Sequence, residues 1–216
     1  MILIHPSSLG KIMTSAKSQK PEDLSAGAKT YCTQLAKEFV YGYRTVVSTK
    51  TMEKGIICED DSIALYNEVF FTNLVKNNQR KSNQWLTGEC DIDTGTRIVD
   101  IKTSWSLGTF PALREDVHTV DYEWQLRAYM MLWDRPESEL AFCMVSTPME
   151  LIGYEDESAH HVDHIDPALR VTSVLYLRDQ AKEDLIKIKC EAAQRYIQQV
   201  IEQITYDHSG VAQCVA

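Results

Sequence analysis

Three acids, one lysine and one amide stand out in this 216-residue chain, because strand and helix periodicity turn them toward the interior rather than toward water. The segment Gly88-Glu89-Cys90-Asp91-Ile92, the turn signal Asp93-Thr94-Gly95-Thr96 and the run Arg97-Ile98-Val99-Asp100-Ile101-Lys102 read as a β-hairpin. With residues 93–96 as the loop, Ile92 lies opposite Arg97 and Asp91 opposite Ile98. Side chains alternate along a strand, so Asp91, Asp100 and Lys102 share one face. The two aspartates are then diagonal neighbours, roughly 7–8 Å apart at Cα, a gap that two carboxylates close around one divalent ion. Glu59 falls in the stripe Ile56, Glu59, Ile63, Tyr66, Phe70, and Gln125 in the stripe Tyr122, Gln125, Tyr129, Leu132. A carboxylate in an apolar stripe is unfavourable unless it pairs, protonates or holds a cation. Oxygen donors with an adjacent lysine suit a magnesium-type centre, in which the ion acidifies a water and the ammonium orients it and offsets charge on a phosphoryl group. That is the chemistry of phosphodiester hydrolysis.

The elements that must position these groups can be read from the same pattern. Helices are predicted over residues 26–43, 52–75, 122–133 and 182–206, and strands over 139–146 and 170–177 besides the hairpin. The class is mixed α/β, a small mixed central β-sheet flanked by helices. No internal repeat or linker divides the chain, so residues 1–216 are expected to form one domain.

Composition is ordinary for a globular chain, with 44% apolar and 25% charged residues, and no apolar run is long enough to span a bilayer. The apolar start Met1-Ile2-Leu3-Ile4 is stopped by His5-Pro6 and lacks the basic region of a signal peptide, which predicts a cytoplasmic protein. Six cysteines at 32, 58, 90, 143, 190 and 214 show no Cys-x-x-Cys pair, which excludes a zinc ribbon or iron–sulfur cluster and predicts reduced, mostly buried thiols. The net charge of -9 argues against a nucleic-acid partner taken alone, but residues 1–81 carry +3 and the rest -12, which leaves room for a local basic surface.

The order Ser7-Ser8-Leu9-Gly10-Lys11, Lys54-Gly55-x3-Glu59, Gly88-Glu89-Cys90-Asp91, Asp100-Ile101-Lys102-Thr103-Ser104 and Gln125-x3-Tyr129 resembles the PD-(D/E)xK nucleases, and among them the phage recombination exonucleases of the lambda and YqaJ type. The resemblance implies a restriction-endonuclease-like core. It makes Glu59, Asp91, Asp100 and the Ile101 carbonyl ligands of Mg²⁺, with Mn²⁺ able to substitute, and Lys102 the residue that positions water. Gln125 would sit by the scissile or terminal phosphate, and Ser8, Lys11, Lys54, Ser104, Trp105 and Tyr129 would contact DNA or its 5'-phosphate. It further implies 5' to 3' digestion of linear double-stranded DNA by a ring-shaped homotrimer that works with a single-strand annealing protein, in the host cytoplasm if the gene is a phage's. Cys90 replaces the superfamily's proline, Asp100 stands where the lambda-type enzyme has glutamate, and His5 and Glu89 stand where it has arginine and serine.

Two alternatives remain at this point: a structure- or sequence-specific endonuclease on the same fold, and an inactive DNA-binding module. Of the four tryptophans, Trp85, Trp124 and Trp133 are expected in packed elements and only Trp105 at DNA. The cluster His160, His161, Asp163, His164 has ligand types for a transition metal, but its acidic surroundings predict a solvated loop.

Overall fold

The computed structural model describes residues 2–117 and 120–209. A 3-10 turn at Pro6–Lys11 is followed by α1 (Ala26–Tyr41), α2 (Lys50–Ile57) and α3 (Glu59–Phe70). Strands β1 (Lys81–Ser82), β2 (Thr87–Gly88), β3 (Ile92–Asp93) and β4 (Arg97–Thr103) come next. Helices α4 (Arg114–Val117) and α5 (Val120–Trp133) lead to β5 (Glu137–Cys143), α6 (Met149–Ile152), β6 (Val171–Leu177) and the long α7 (Gln180–Asp207). Side-chain caps start three of the helices: Ser25 accepts from the Ala28 amide, Thr49 from Met52 and Asp179 from Lys182. Gly42, at φ 64, stops α1 in the left-handed conformation that glycine adopts freely.

The central sheet has the order β3-β4-β5-β6, with β4 and β5 parallel and the outer pairs antiparallel. The parallel pair is connected through α5, which packs on one face of the sheet while α3 packs on the other. Val99, Ile101, Ala141 and Cys143 meet Ile63 and Tyr66 of α3. On the opposite face Leu140 meets Leu126 and Met130 of α5, and Ile98 meets Tyr129 and Trp133. A further layer of α1 and α7 closes over the 3-10 turn through Ile4, Leu9, Ile12, Cys32, Cys190 and Ile197. Gly88 marks a close crossing of chains, since a Cβ there would stand 2.7 Å from Pro6 Cδ and 3.3 Å from Tyr129 Cε1.

The mixed α/β class with a small flanked sheet matches the sequence expectation, with two local differences. The hairpin turns on two residues, Gly95 and Thr96, not four, because Thr94 N–H bonds to Arg97 O and Gly95 takes φ 90. Ile92 therefore pairs with Val99 and Asp93 with Ile98. Shortening the loop by two residues moves the register by two, an even step, so every side chain keeps its predicted face. The helix expected over 52–75 is broken at Cys58 (φ -101, ψ 17), which makes Glu59 the first residue of a new helix. As a result only Ile63 and Tyr66 of the predicted stripe are buried, while Ile56 is 76% exposed. Five cysteines are buried free thiols; Cys214 lies outside the described residues.

Candidate active site

Continued by one residue, the β3–β4 register sets Asp91 across from Asp100. Asp91 stands just ahead of β3, and its Oδ2 accepts the Ile101 amide at 2.8 Å. Burial, then the neighbouring Asp100 carboxylate, push the Asp91 carboxyl well above its ordinary range. Asp100 is 1% exposed in the middle of β4. Its Oδ1 accepts from Gln125 Nε2 of α5 at 2.8 Å, and its Oδ2 is ion-paired with Lys102 Nζ at 2.5 Å. Burial works against the charge on Lys102, but Asp100 and Asp91 outweigh it and hold the ammonium above its ordinary value. The same ammonium stands 5.3 Å from the centre of the Tyr122 ring. Tyr129, one helical turn beyond Gln125, is buried behind the pair, and burial and the two aspartates raise its phenol.

These groups lie at a cleft of about 470 Å³ whose lining includes Asp91, Ile101, Lys102, Ser104, Trp105 and Glu59. Glu59 faces it from the start of α3, where the helix N-terminus favours a negative side chain. Its Oε2 is held by Lys76 Nζ at 2.5 Å. Among the described residues no three His, Cys, Asp or Glu side chains are drawn close enough together to hold an ion. The donor chemistry nevertheless fits a hard divalent cation: two inward carboxylates crowd each other beside a single ammonium, and a third carboxylate lines the same cleft.

The residues expected at DNA divide into three groups. Ser104 and Trp105 line the cleft, but Trp105 is only 9% exposed, and its indole N–H donates to Glu155 Oε2 at 2.9 Å. Ser8 and Lys11 lie apart from the cleft lining, on the 3-10 turn, where Ser8 hydrogen-bonds Tyr31 and Lys11 Nζ stands 4.7 Å from that ring's centre. Lys54 corrects the sequence reading. It is fully buried, and its ammonium donates to the carbonyls of Ser104 (2.7 Å), Trp105 (3.0 Å) and Val145 (2.8 Å), which uses all three N–H groups. Burial lowers its pKa to about 8. No donor remains for a phosphate.

His160 is a second correction. The loop was expected to be solvated, but this ring is 1% exposed, with Nδ1 3.0 Å from Thr147 Oγ1 and its edge toward Trp105. Tyr122, Lys76 and the Ser62–Thr103 hydroxyl contact at 2.8 Å escaped the sequence reading. Only the stripe containing Tyr122 carried any signal of them.

The mixed sheet thus carries Asp91, Asp100 and Lys102 beside Gln125 of α5. A phage-related exonuclease of Haemophilus somnus 129PT is similar to this chain with a TM-score of 0.89 and 31% identity, over 94% of this chain and 96% of that one. The alkaline exonuclease of Laribacter hongkongensis shares the fold at a TM-score of 0.70 and 14% identity, over 97% and 95% of the two chains. Its complex with dAMP gives 0.71 and 15%. No protein-family model and no curated protein matches the sequence. The chain belongs to the family of phage-type recombination exonucleases, and it is a nuclease of that family. Among the described residues no helix is long and apolar enough to cross a membrane.

Proposed function

We propose that the protein is a Mg²⁺-dependent exonuclease, with Mn²⁺ able to substitute, that removes one strand of linear double-stranded DNA from its 5' end and leaves 3' overhangs. The observation that carries the reading is the meeting of Asp91, Asp100 and Lys102 at the floor of an open cleft. Glu59, Asp91, Asp100 and the Ile101 carbonyl would hold the ion, and all four positions line or adjoin that cleft. When bound, the ion acidifies a water and takes up charge on the phosphoryl oxygens. Lys102, kept protonated by the two aspartates, directs the water through its N–H groups and offsets charge on the attacked phosphate. Gln125 holds Asp100 in the orientation that leaves its second oxygen toward Lys102. Polarity of digestion, a homotrimeric ring, action in the host cytoplasm and supply of overhangs to a single-strand annealing protein draw their support from the family resemblance.

The test is digestion of linear duplex DNA labelled at either end, beside a closed circle, with Mg²⁺ or chelator and with Lys102→Ala as control. The expected result is Mg²⁺-dependent loss of the 5' label, absent in the variant, with the circle intact. Cutting of the circle would establish an endonuclease in its place, and no metal-dependent cleavage would leave a DNA-binding module.

A further inference from the structure

The break between α2 and α3 puts Glu59 between two fastenings to the sheet. Five residues before it, the Lys54 ammonium ties α2 to the carbonyls of Ser104 and Trp105, just past the end of β4, and to Val145, just past the end of β5. Three residues after it, Ser62 Oγ meets Thr103 Oγ1, the last side chain of β4, at 2.8 Å. Both anchors are buried to 0% exposure. Among the described residues Lys54 has no carboxylate partner within hydrogen-bonding distance, and its three N–H groups go to backbone leaving the two parallel strands. Carbonyls at strand ends can turn to water, which makes a buried cation an unusual way to satisfy them. What this cation does achieve is a fixed spacing between the wall that bears Met52, Gly55, Ile56 and Glu59 and the floor that bears Asp91, Ile101 and Lys102.

We propose that Lys54 and Ser62 are positioning residues that set the distance of Glu59 from Asp91 and Asp100. The inference rests on the reading of Glu59 as a ligand of the catalytic ion. It moves Lys54 from the DNA surface to the frame of the metal centre. The effect on the ion is assigned to Glu59 because both anchors flank it on its own chain segment and their hydrogen bonds go to Thr103, Ser104, Trp105 and Val145, not to either aspartate; the Glu59→Gln background separates it from any effect carried along β4. Displacing one ligand of a hard-cation site by a fraction of an ångström weakens the site in the way that loss of a supporting group does, about ten-fold or more.

The experiment measures Mn²⁺ binding to the full chain without DNA, by calorimetry or by electron paramagnetic resonance of the free ion. Lys54→Met and Ser62→Ala are made alone and in a Glu59→Gln background, with thermal unfolding and duplex binding in Ca²⁺ recorded in parallel. Lys54→Met is expected to weaken Mn²⁺ about ten-fold and Ser62→Ala about three-fold, with duplex affinity unchanged. Both losses should vanish when Glu59 is already Gln, as a double-mutant cycle requires of groups that act through one another. Equal losses in the Glu59→Gln background would overturn the proposal, as would unchanged Mn²⁺ binding in both variants. Weaker duplex binding with normal Mn²⁺ affinity would return Lys54 to the DNA surface. If Lys54→Met does not fold, Ser62→Ala carries the same cycle. The cycle requires no digestion, so a failed exonuclease assay does not decide it.

Discussion

Strand β4 carries an ionic cluster on each of its two faces, with the same groups by charge and opposite finishes. On the face toward α3, Arg97 meets Glu137 at 2.9 Å and Glu139 at 2.9 Å, and Tyr66 O–H donates to Glu139 at 3.0 Å. On the face toward α5, Lys102 meets Asp100, while Asp91 takes a backbone amide. Each cluster has two carboxylates and one base. The guanidinium fork gives both glutamates a separate N–H, which a single ammonium does not do for two aspartates. Tyr66 then completes one cluster, whereas in the other the Lys102 ammonium pairs closely with Asp100 and Asp91 has a backbone amide. The first is a strut whose glutamates draw donors from two side chains, and the second leaves two crowded, buried carboxylates beside one ammonium at a cleft.

That contrast can be broken from either side. Lys102→Ala and Asp100→Asn should each lower nuclease activity about 10³-fold, measured as single-turnover digestion of end-labelled duplex. In chelator Asp100→Asn sets relief of crowding between two carboxylates against loss of the Lys102 ion pair, so the unfolding temperature should change by only a few degrees; a larger fall would mean that the Asp100–Lys102 pair is structural. Gln125→Ala removes a support and not a ligand, and should reduce activity about 10- to 100-fold with a matching rise in the Mg²⁺ needed for half-maximal rate. On the strut face the order of effects reverses. Arg97→Met should lower stability by about 2 kcal/mol in urea unfolding while activity per folded molecule stays normal, the partial exposure of Arg97 holding the loss below that of a fully buried pair. Tyr66→Phe, which deletes one donor to Glu139, should remove about 1 kcal/mol by the same measurement.

The common face of Asp91, Asp100 and Lys102 was legible in the sequence because it depends on parity. The loop proved two residues shorter than the turn signal suggested, yet Asp91, Asp100 and Lys102 kept their common side, since an even slip preserves alternation. Glu59 reached the cleft for a different reason than its stripe implied. The helix breaks at Cys58 with no Pro near it and with Gly55 inside the last turn of α2 rather than at the break, and a 3.6-residue pattern cannot register a break of that kind. The family resemblance implies Lys54 as a contact to the DNA backbone, but its partners are carbonyls 50, 51 and 91 residues further along. Backbone acceptors leave no trace in residue types. His160 was hidden likewise, since the acidic residues beside it in sequence do not show that Thr147 and Trp105 close over it.

The parallel pairing of β4 with β5 also dictates when the centre can come into being. Arg97 and Glu137 are 40 residues apart in the chain, and Gln125 must travel back 25 residues to reach Asp100. A nascent chain that has emerged only through Thr103 already holds both aspartates and Lys102, but on a short hairpin that water would keep open. The β5 flank of Asp100 and the third carbonyl of the Lys54 seat, Val145, come only with β5, a non-local pairing with its own loop-closure entropy. The cluster of Asp91, Asp100 and Lys102 is therefore assembled by contacts from both halves of the sheet, although all three residues lie in the first.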